Sequence, residues 1–218
     1  MNLTAKELLA AGARELGLQL SSAQLASLDQ FAEELKKWNR KINLTAITDD
    51  AGIAVKHLVD SLSLLKVVQG GGRLLDIGSG GGFPGIPVKV ALPELEIVSV
   101  DAVVKKVSFQ KQAVRLLNLT NFTPLHVRAE TLAEDYAGSF DWVVSRAFSD
   151  IPSFVAMALP VLKDSGRIVA MKGKNAAEEV AAAAGDLARM GLKVESVQEF
   201  TLPGSGDARS LVVIAKEN

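Results

Sequence analysis

The sequence predicts an α/β fold: a seven-stranded, mostly parallel sheet with an antiparallel last strand, preceded by an N-terminal helical extension. Three observations carry this. From Arg73 onward, short β-branched runs alternate with helical segments, the pattern of a parallel sheet covered by helices. Before residue 70, apolar residues recur at helical spacing instead. With 218 residues, 48% of them hydrophobic and 22% charged, the chain is long and apolar enough to bury such a core, and disorder is excluded.

Thr4 and Glu7 form a capping-box pair with Leu3 and Leu8 as its staple, so a first helix is expected to open near Ala5 and to end at Gly17. Ser21 and Gln24, stapled by Leu20 and Leu25, open a second. Its apolar face is Leu28, Phe31, Ala32, Leu35 and Trp38. A third helix fits Ile53–Val68 after Asp49 and Asp50, and Gly70-Gly71-Gly72 then makes a joint. Residues 1–69 therefore read as a helical extension packed on a catalytic domain of residues 70–218. Strands are expected at Arg73–Ile77, Ile97–Val100, Thr123–Val127, Trp142–Ser145, Ile168–Met171, Val194–Phe200 and Leu211–Ala215. The loop Leu202–Asp207 is too short for a helical crossover, so the last two strands should pair antiparallel and give the sheet a reversed edge. The Ala-rich run Ala176–Met190 has a polar face from Glu178, Glu179, Asp186 and Arg189, as a covering helix does.

Composition narrows the chemistry. There is no cysteine, which excludes disulfides, Cys-ligated metals and thiolate nucleophiles. No apolar run approaches the ~20 residues of a membrane span, and the first residues lack the order of a signal peptide, so a cytoplasmic protein is expected. The 24 Lys and Arg against 25 Asp and Glu leave a net charge of -1, so any nucleic acid must be held by a local basic patch.

The informative segment runs from Leu74 to Gly85. A strand leads into Gly78, Gly80 and Gly82, where the backbone can approach a ligand closely, and Pro84 suits the start of the next helix. An ordinary strand-to-helix turn needs only one glycine. The dinucleotide fingerprint requires glycine at the third site, where Phe83 stands, and bare phosphate beside the helix start. Asp76 precedes the first glycine instead. A carboxylate there suits the ammonium and sulfonium end of S-adenosylmethionine and would repel pyrophosphate. Asp101, at the tip of the second strand, can accept from both ribose hydroxyls, which either cofactor would offer. After the third strand, Ala129 and Glu130 can read an adenine edge.

The fourth strand ends at Arg146 and the fifth at Lys172-Gly173-Lys174, both at the edge where open α/β sheets bind ligands. No Asx-Pro-Pro-aromatic run follows strand four, which weakens amino-group methylation, and no clustered metal ligands accompany it, so no metal is expected. A ring nitrogen that is already nucleophilic, such as guanine N7, needs only in-line placement. His57 and His126 read as structural, His57 being one helical step from Asp60. Lys36, Lys37, Arg40 and Lys41, and Lys105, Lys106, Lys111 and Arg115, form two further basic clusters. Met171 and the Trp38 stripe read as core.

The chain resembles the bacterial 16S rRNA guanine-527 N7-methyltransferase family (RsmG, also called GidB). The resemblance rests on Lys37-Trp38-Asn39 with Asn43-Leu44-Thr45, His57-Leu58-Val59-Asp60-Ser61, Asp76 through Pro87, Ser145-Arg146-Ala147, and Leu211-Val212-Val213-Ile214. It implies a class I, Rossmann-like methyltransferase that uses S-adenosylmethionine on 16S rRNA or the small ribosomal subunit, acting as a monomer. It implies cofactor contacts at Gly78, Phe83, Ala129, Glu130 and Arg146. To these the residue reading adds Asp76, Gly80, Gly82 and Asp101 for the cofactor, and Lys172 beside Arg146 for the chemistry. Where such proteins often have Arg-His, this chain has Arg209-Ser210, leaving Arg209 as an RNA or base contact. A small-molecule methyltransferase and, more remotely, a nicotinamide oxidoreductase are the alternatives.

Overall fold

Seven strands form one sheet in the order β3-β2-β1-β4-β5-β7-β6. They are β1 (Arg73–Ile77), β2 (Glu96–Asp101), β3 (Phe122–His126), β4 (Phe140–Ser145), β5 (Leu162–Lys172), β6 (Leu192–Thr201) and β7 (Ala208–Lys216). A computed structural model describes every residue except Ala147, Ser149 and Asn218, so the Ala147 end of the Ser145-Arg146-Ala147 motif lies outside the described residues. The first five strands pair in parallel, and β7 runs antiparallel to both β5 and β6. The expected hairpin is present, but the reversed strand is not at the edge. β7 inserts between β5 and β6, and β6 forms the border. The reason is burial: β7 is apolar on both faces through Leu211, Val212, Val213 and Ile214, all buried, whereas β6 alternates half-buried and exposed residues as an edge strand can.

Helix α1 spans Leu3–Glu15 and starts two residues earlier than Thr4 and Glu7 suggest. Asn2 is the N-cap, its side chain accepting from the Ala5 amide at 2.9 Å, so Thr4 lies inside the helix. Helix α2 (Ser22–Asn39) opens on Ser21 and Gln24 with both capping-box bonds made. Residues 50–66 form one continuous helical run of changing pitch: α3 (Asp50–Gly52), a π-helix over Ile53–Val59, α4 (Asp60–Leu62) and a 3-10 turn over Ser63–Lys66. The expected helix stops short of Val68. Then come α5 (Gly85–Ala91), α6 (Val104–Leu116), the short α7 (Ala133–Tyr136), α8 (Ile151–Ala158) and α9 (Ala176–Arg189).

The sheet separates two apolar layers. On one face, Leu74, Ile97, Val144, Val169 and Leu211 pack with α1, α2, residues 53–64, α5 and α6. On the other, Leu75, Val98, Val143, Ile168 and Val212 pack with α8 and α9. The helical extension thus shares its core with the sheet. Phe31 of α2 is fully buried between Phe83 and Phe109, with ring centroids at 5.4 and 5.9 Å. Removing such a ring costs about 3–5 kcal/mol.

Candidate active site

Two cavities open at the carboxyl ends of the parallel strands. The first, about 380 Å³, is walled by Ile77 and Gly78 at the end of β1, Asp101 and Ala102 at the end of β2, residues 127–130 after β3, and Phe148 and Met157. The second, about 340 Å³, is walled by Arg146 after β4, Lys172 at the end of β5, Arg209 and Ser210 at the start of β7, Phe200 of β6, and Lys56, His57 and Asp60 from the helical run. They are linked. Lys172, in the second wall, donates to the carbonyl of Phe148, in the first, at 2.9 Å.

The glycine loop is held by side chains rather than by its own turn bonds alone. Gly78, Gly80 and Gly82 all have positive φ, at 72°, 54° and 83°. At Gly82 a Cβ would also crowd the Ile86 side chain, so another residue there would have to displace Ile86 as well as take up a strained φ. Asp101 is buried; its Oδ2 accepts from the Gly80 amide at 2.9 Å and its Oδ1 from the Val103 amide at 2.8 Å. Each oxygen keeps a further lone pair, so the same carboxylate can brace the loop and accept a hydroxyl. Gln110 of α6, absent from the sequence reading, is fully buried and donates to Ser79 Oγ at 2.7 Å and to the Gly80 carbonyl at 2.9 Å, while Ser99 Oγ donates to it. An amide inside an otherwise ordinary helix carries no local signal of such a task.

Asp76 is fully buried. Its Oδ2 accepts from the Gly85 amide at 2.9 Å, and its Oδ1 has no hydrogen-bond partner among the described residues. Burial pushes its pKa up to about 8, and the nearby Asp101 charge adds to this, against the opposing Gly85 amide and Arg146 charge. A cation placed beside it would favour the ionised form and satisfy Oδ1, so the residue fits the ammonium of the amino-acid end of S-adenosylmethionine. The first amide of α5, where a dinucleotide would set its phosphates, already faces this carboxylate. Ala129 begins a 3-10 turn over Ala129–Thr131, and Glu130 is exposed at the rim of the same cavity.

Phe83 is placed differently from a lining residue. Its ring is buried against Phe31 and stacks on His57 with centroids 4.5 Å apart, while the Arg146 guanidinium lies 5.1 Å from the ring centre. Arg146 Nη1 donates to the Lys56 carbonyl at 3.1 Å and to Asp60 Oδ2 at 3.2 Å, and its Nη2 lies 3.3 Å from His57 Nδ1. Arg209 Nε donates to the other Asp60 oxygen at 2.7 Å. Asp60 is buried, so one carboxylate holds two guanidiniums from β7 and the end of β4. Lys172 is buried too, and its ammonium is paired with Glu179 at 2.6 Å, which restrains the RNA-contacting role expected for it; Lys174 is exposed. His126 Nε2 faces the Ala102 carbonyl at 3.0 Å, a structural contact.

Among the described residues, no group of three or more His, Cys, Asp or Glu side chains is arranged to hold a metal ion, and no helix is long and apolar enough to cross a membrane.

The family model described as rRNA small subunit methyltransferase G matches residues 24–211. The ribosomal RNA small subunit methyltransferase G of Geobacter sp. (strain M21) is 76% identical over 213 residues, 98% of each chain. That of Geotalea uraniireducens (strain Rf4) is 59% identical over 216 residues, 99% of each. That of Desulfitobacterium hafniense (strain Y51) is 40% identical over 205 residues, 93% of this chain and 85% of the other. Among solved structures, a SAM dependent methyltransferase from Aquifex aeolicus superposes with a TM-score of 0.59 at 18% identity, covering 84% of this chain and 97% of that one. M. jannaschii TYW2 in complex with AdoMet gives a TM-score of 0.61 at 12% identity, covering 81% and 80%. At these identities the structural likeness shows a common fold.

Proposed function

Because the chain belongs to the rRNA small subunit methyltransferase G family, we propose that it methylates N7 of guanine-527 in 16S rRNA, using S-adenosylmethionine, in the cytoplasm and as a monomer without a metal. The observation that carries this reading is the pair of neighbouring cavities: one is lined by Asp101 and Glu130, acceptors suited to a ribose and an adenine edge, and the other by cations. Asp76 would hold the ammonium, Asp101 the ribose, and Ala129 with Glu130 the adenine edge. When bound, S-adenosylmethionine supplies an electrophilic methyl group on a sulfonium centre. Arg146 and Arg209, fixed by Asp60, and Lys56 at the mouth would hold the phosphate-bearing nucleotide so that the N7 lone pair meets that methyl in line.

Guanine N7 carries its lone pair without deprotonation, so the residues need to supply placement and exclusion of water more than proton transfer. Well-oriented reactants can recover roughly 7–11 kcal/mol of a barrier. In A-form RNA the groove that displays N7 is too narrow to enter, so the target base is unpaired or flipped into the second cavity. The segments 1–69 and 70–218 act as one unit in this reading, since Arg146 takes its acceptors from residues 56–60.

The test is direct. Purified protein with S-adenosylmethionine and small-subunit rRNA should form 7-methylguanosine, read by nucleoside mass spectrometry, and activity should fall as salt rises because cations contact phosphates. An rRNA methylation profile that does not change in a deletion strain would reject the assignment.

A further inference from the structure

Arg146 can serve a reaction only if its guanidinium keeps one pose. His57 is built to enforce that pose. A guanidinium only donates, so His57 Nδ1, 3.3 Å from Arg146 Nη2, must be unprotonated and the ring proton must sit on Nε2. Nε2 then donates to Thr45 Oγ1 at 2.7 Å. Thr45 is fixed in turn: Asn39 accepts from the amides of Leu44 and Thr45 at 2.8 and 3.0 Å and donates to the Thr45 carbonyl at 2.9 Å. The imidazole is 6% exposed, and its face is clamped on Phe83 at an interplanar angle of 19°. Burial first, and the Arg146 charge second, lower its pKa to about 4, so the acceptor stays available at neutral pH.

We propose that His57 is a positioning residue for methyl transfer: held as the Nε2–H tautomer by Thr45, it fixes the Arg146 guanidinium through Nδ1. The role rests on the reading of Arg146 as part of the reacting site. It also joins two sequence blocks, Asn39 to Thr45 and His57 to Asp60, into one support reaching a side chain 89 residues away.

Three substitutions separate this role from simple packing. His57→Asn puts an amide oxygen where Nδ1 stood. His57→Gln reaches only the Nε2 position, and His57→Phe keeps the stack on Phe83 with no acceptor. At saturating S-adenosylmethionine on small-subunit rRNA, kcat should fall about tenfold or more in the Gln and Phe variants, the effect of losing a bond to a charged group, and recover to within about threefold in Asn. Thermal unfolding of each variant reports folding separately. Wild-type kcat in His57→Phe, or equal losses in all three, would overturn the proposal. A second readout needs neither RNA nor cofactor. With only two histidines in the chain, nitrogen-15 spectra of the wild type and His57→Phe assign the ring, and Nδ1 should be unprotonated and non-titrating from about pH 5.5 to 8. A protonated Nδ1 rejects the tautomer. A wild-type enzyme that fails to methylate rRNA would instead reject the substrate assignment while leaving the spectra decisive for His57.

Discussion

The two ends of the sheet pair most of their cations differently. At the end where the parallel strands begin, Arg73 pairs with Glu96 at 2.8 Å, Lys163 with Asp141 at 2.8 Å, Arg167 with both oxygens of Glu195 at 2.8 and 2.9 Å, and Lys216 with Asp164 at 2.8 Å. Each cation has its own acid, on the surface. At the end where they finish, Lys172 has Glu179, but Arg146 and Arg209 divide one buried carboxylate, and Arg209 and Lys56 share the more distant Asp207, at 3.6 and 3.7 Å. Arg128, Lys105, Lys106 and Lys174 have no ion-pair partner among the described residues. A net charge of -1 therefore conceals cations at this edge that no acid neutralises singly. For a polyanionic partner, that local excess matters more than the total.

Deleting the shared acid should break the contrast most severely. Asp60→Ala leaves two guanidiniums facing each other beside a buried wall, and the loss should be about 3 kcal/mol, at the lower end for a broken buried pair because both arginines are partly exposed. Chemical denaturation measures it, and a loss below 1 kcal/mol would mean that water replaces the carboxylate.

Next in size is Asp101→Ala, which removes both the ribose acceptor and the brace on Gly80. Affinity for S-adenosylmethionine should fall at least about tenfold, since each bond to a charged group is worth about 1.5–3 kcal/mol and ~1.4 kcal/mol is one decade. Saturating cofactor should restore most of kcat, whereas Arg146→Ala should stay slow at saturation. Calorimetry beside a full titration of rate distinguishes the two.

The third effect depends on pH. Folded Asp76 keeps its proton up to about pH 8 but releases it near 3.8 when unfolded, so the folded state binds more protons in that window and loses stability as pH rises through it. His57 acts oppositely, its pKa falling from 6.5 to about 4 on folding, so stability rises with pH between those values. The two offset each other up to about pH 6.5. From there to about pH 8 Asp76 acts alone, and the cofactor-free protein should lose up to about 1.4 kcal/mol per pH unit, a slope absent in Asp76→Asn. Denaturant midpoints across this range, compared between the two proteins, check it.

The smallest effect belongs to the opposite end. Arg167→Gln should change stability by less than about 1 kcal/mol despite its two-bond geometry, because both partners are well exposed, and should leave the salt dependence of RNA methylation as it was. A changed salt slope would show that RNA also touches that end.

What could be read from residue order alone was whatever depends on neighbours in the chain. Alternation of β-branched runs located every strand, and Ser21 with Gln24 marked a helix start because a capping box spans only three residues. Asp76 and its glycines stood out because close backbone approach leaves a contiguous trace. The α1 start is ambiguous in the sequence because Asn2 and Thr4 are both competent caps and a choice between them depends on the packing of the first turn. The order of β7 and β6 is a burial competition between two strands, invisible until both faces are known. His57 reads as packing in the sequence because its partner lies 89 residues away, and Gln110 carries no signal there because its partner Ser79 lies 31 away. Such contacts exist only once the chain has folded.

The reversal of β7 has a consequence for when the site comes into being. Because β7 runs against β5, its first residues, not its last, arrive at the functional edge, where Ser210 pairs with Lys172 and Arg209 reaches an acid 149 positions earlier. Arg146 therefore stands in a complete wall only after the final hairpin has docked, among the latest and most sequence-distant events available to this chain. During synthesis, a nascent polypeptide that has formed its glycine loop still lacks the far side of the nucleotide pocket. Maturation of the catalyst is thereby tied to the docking of its β6–β7 hairpin.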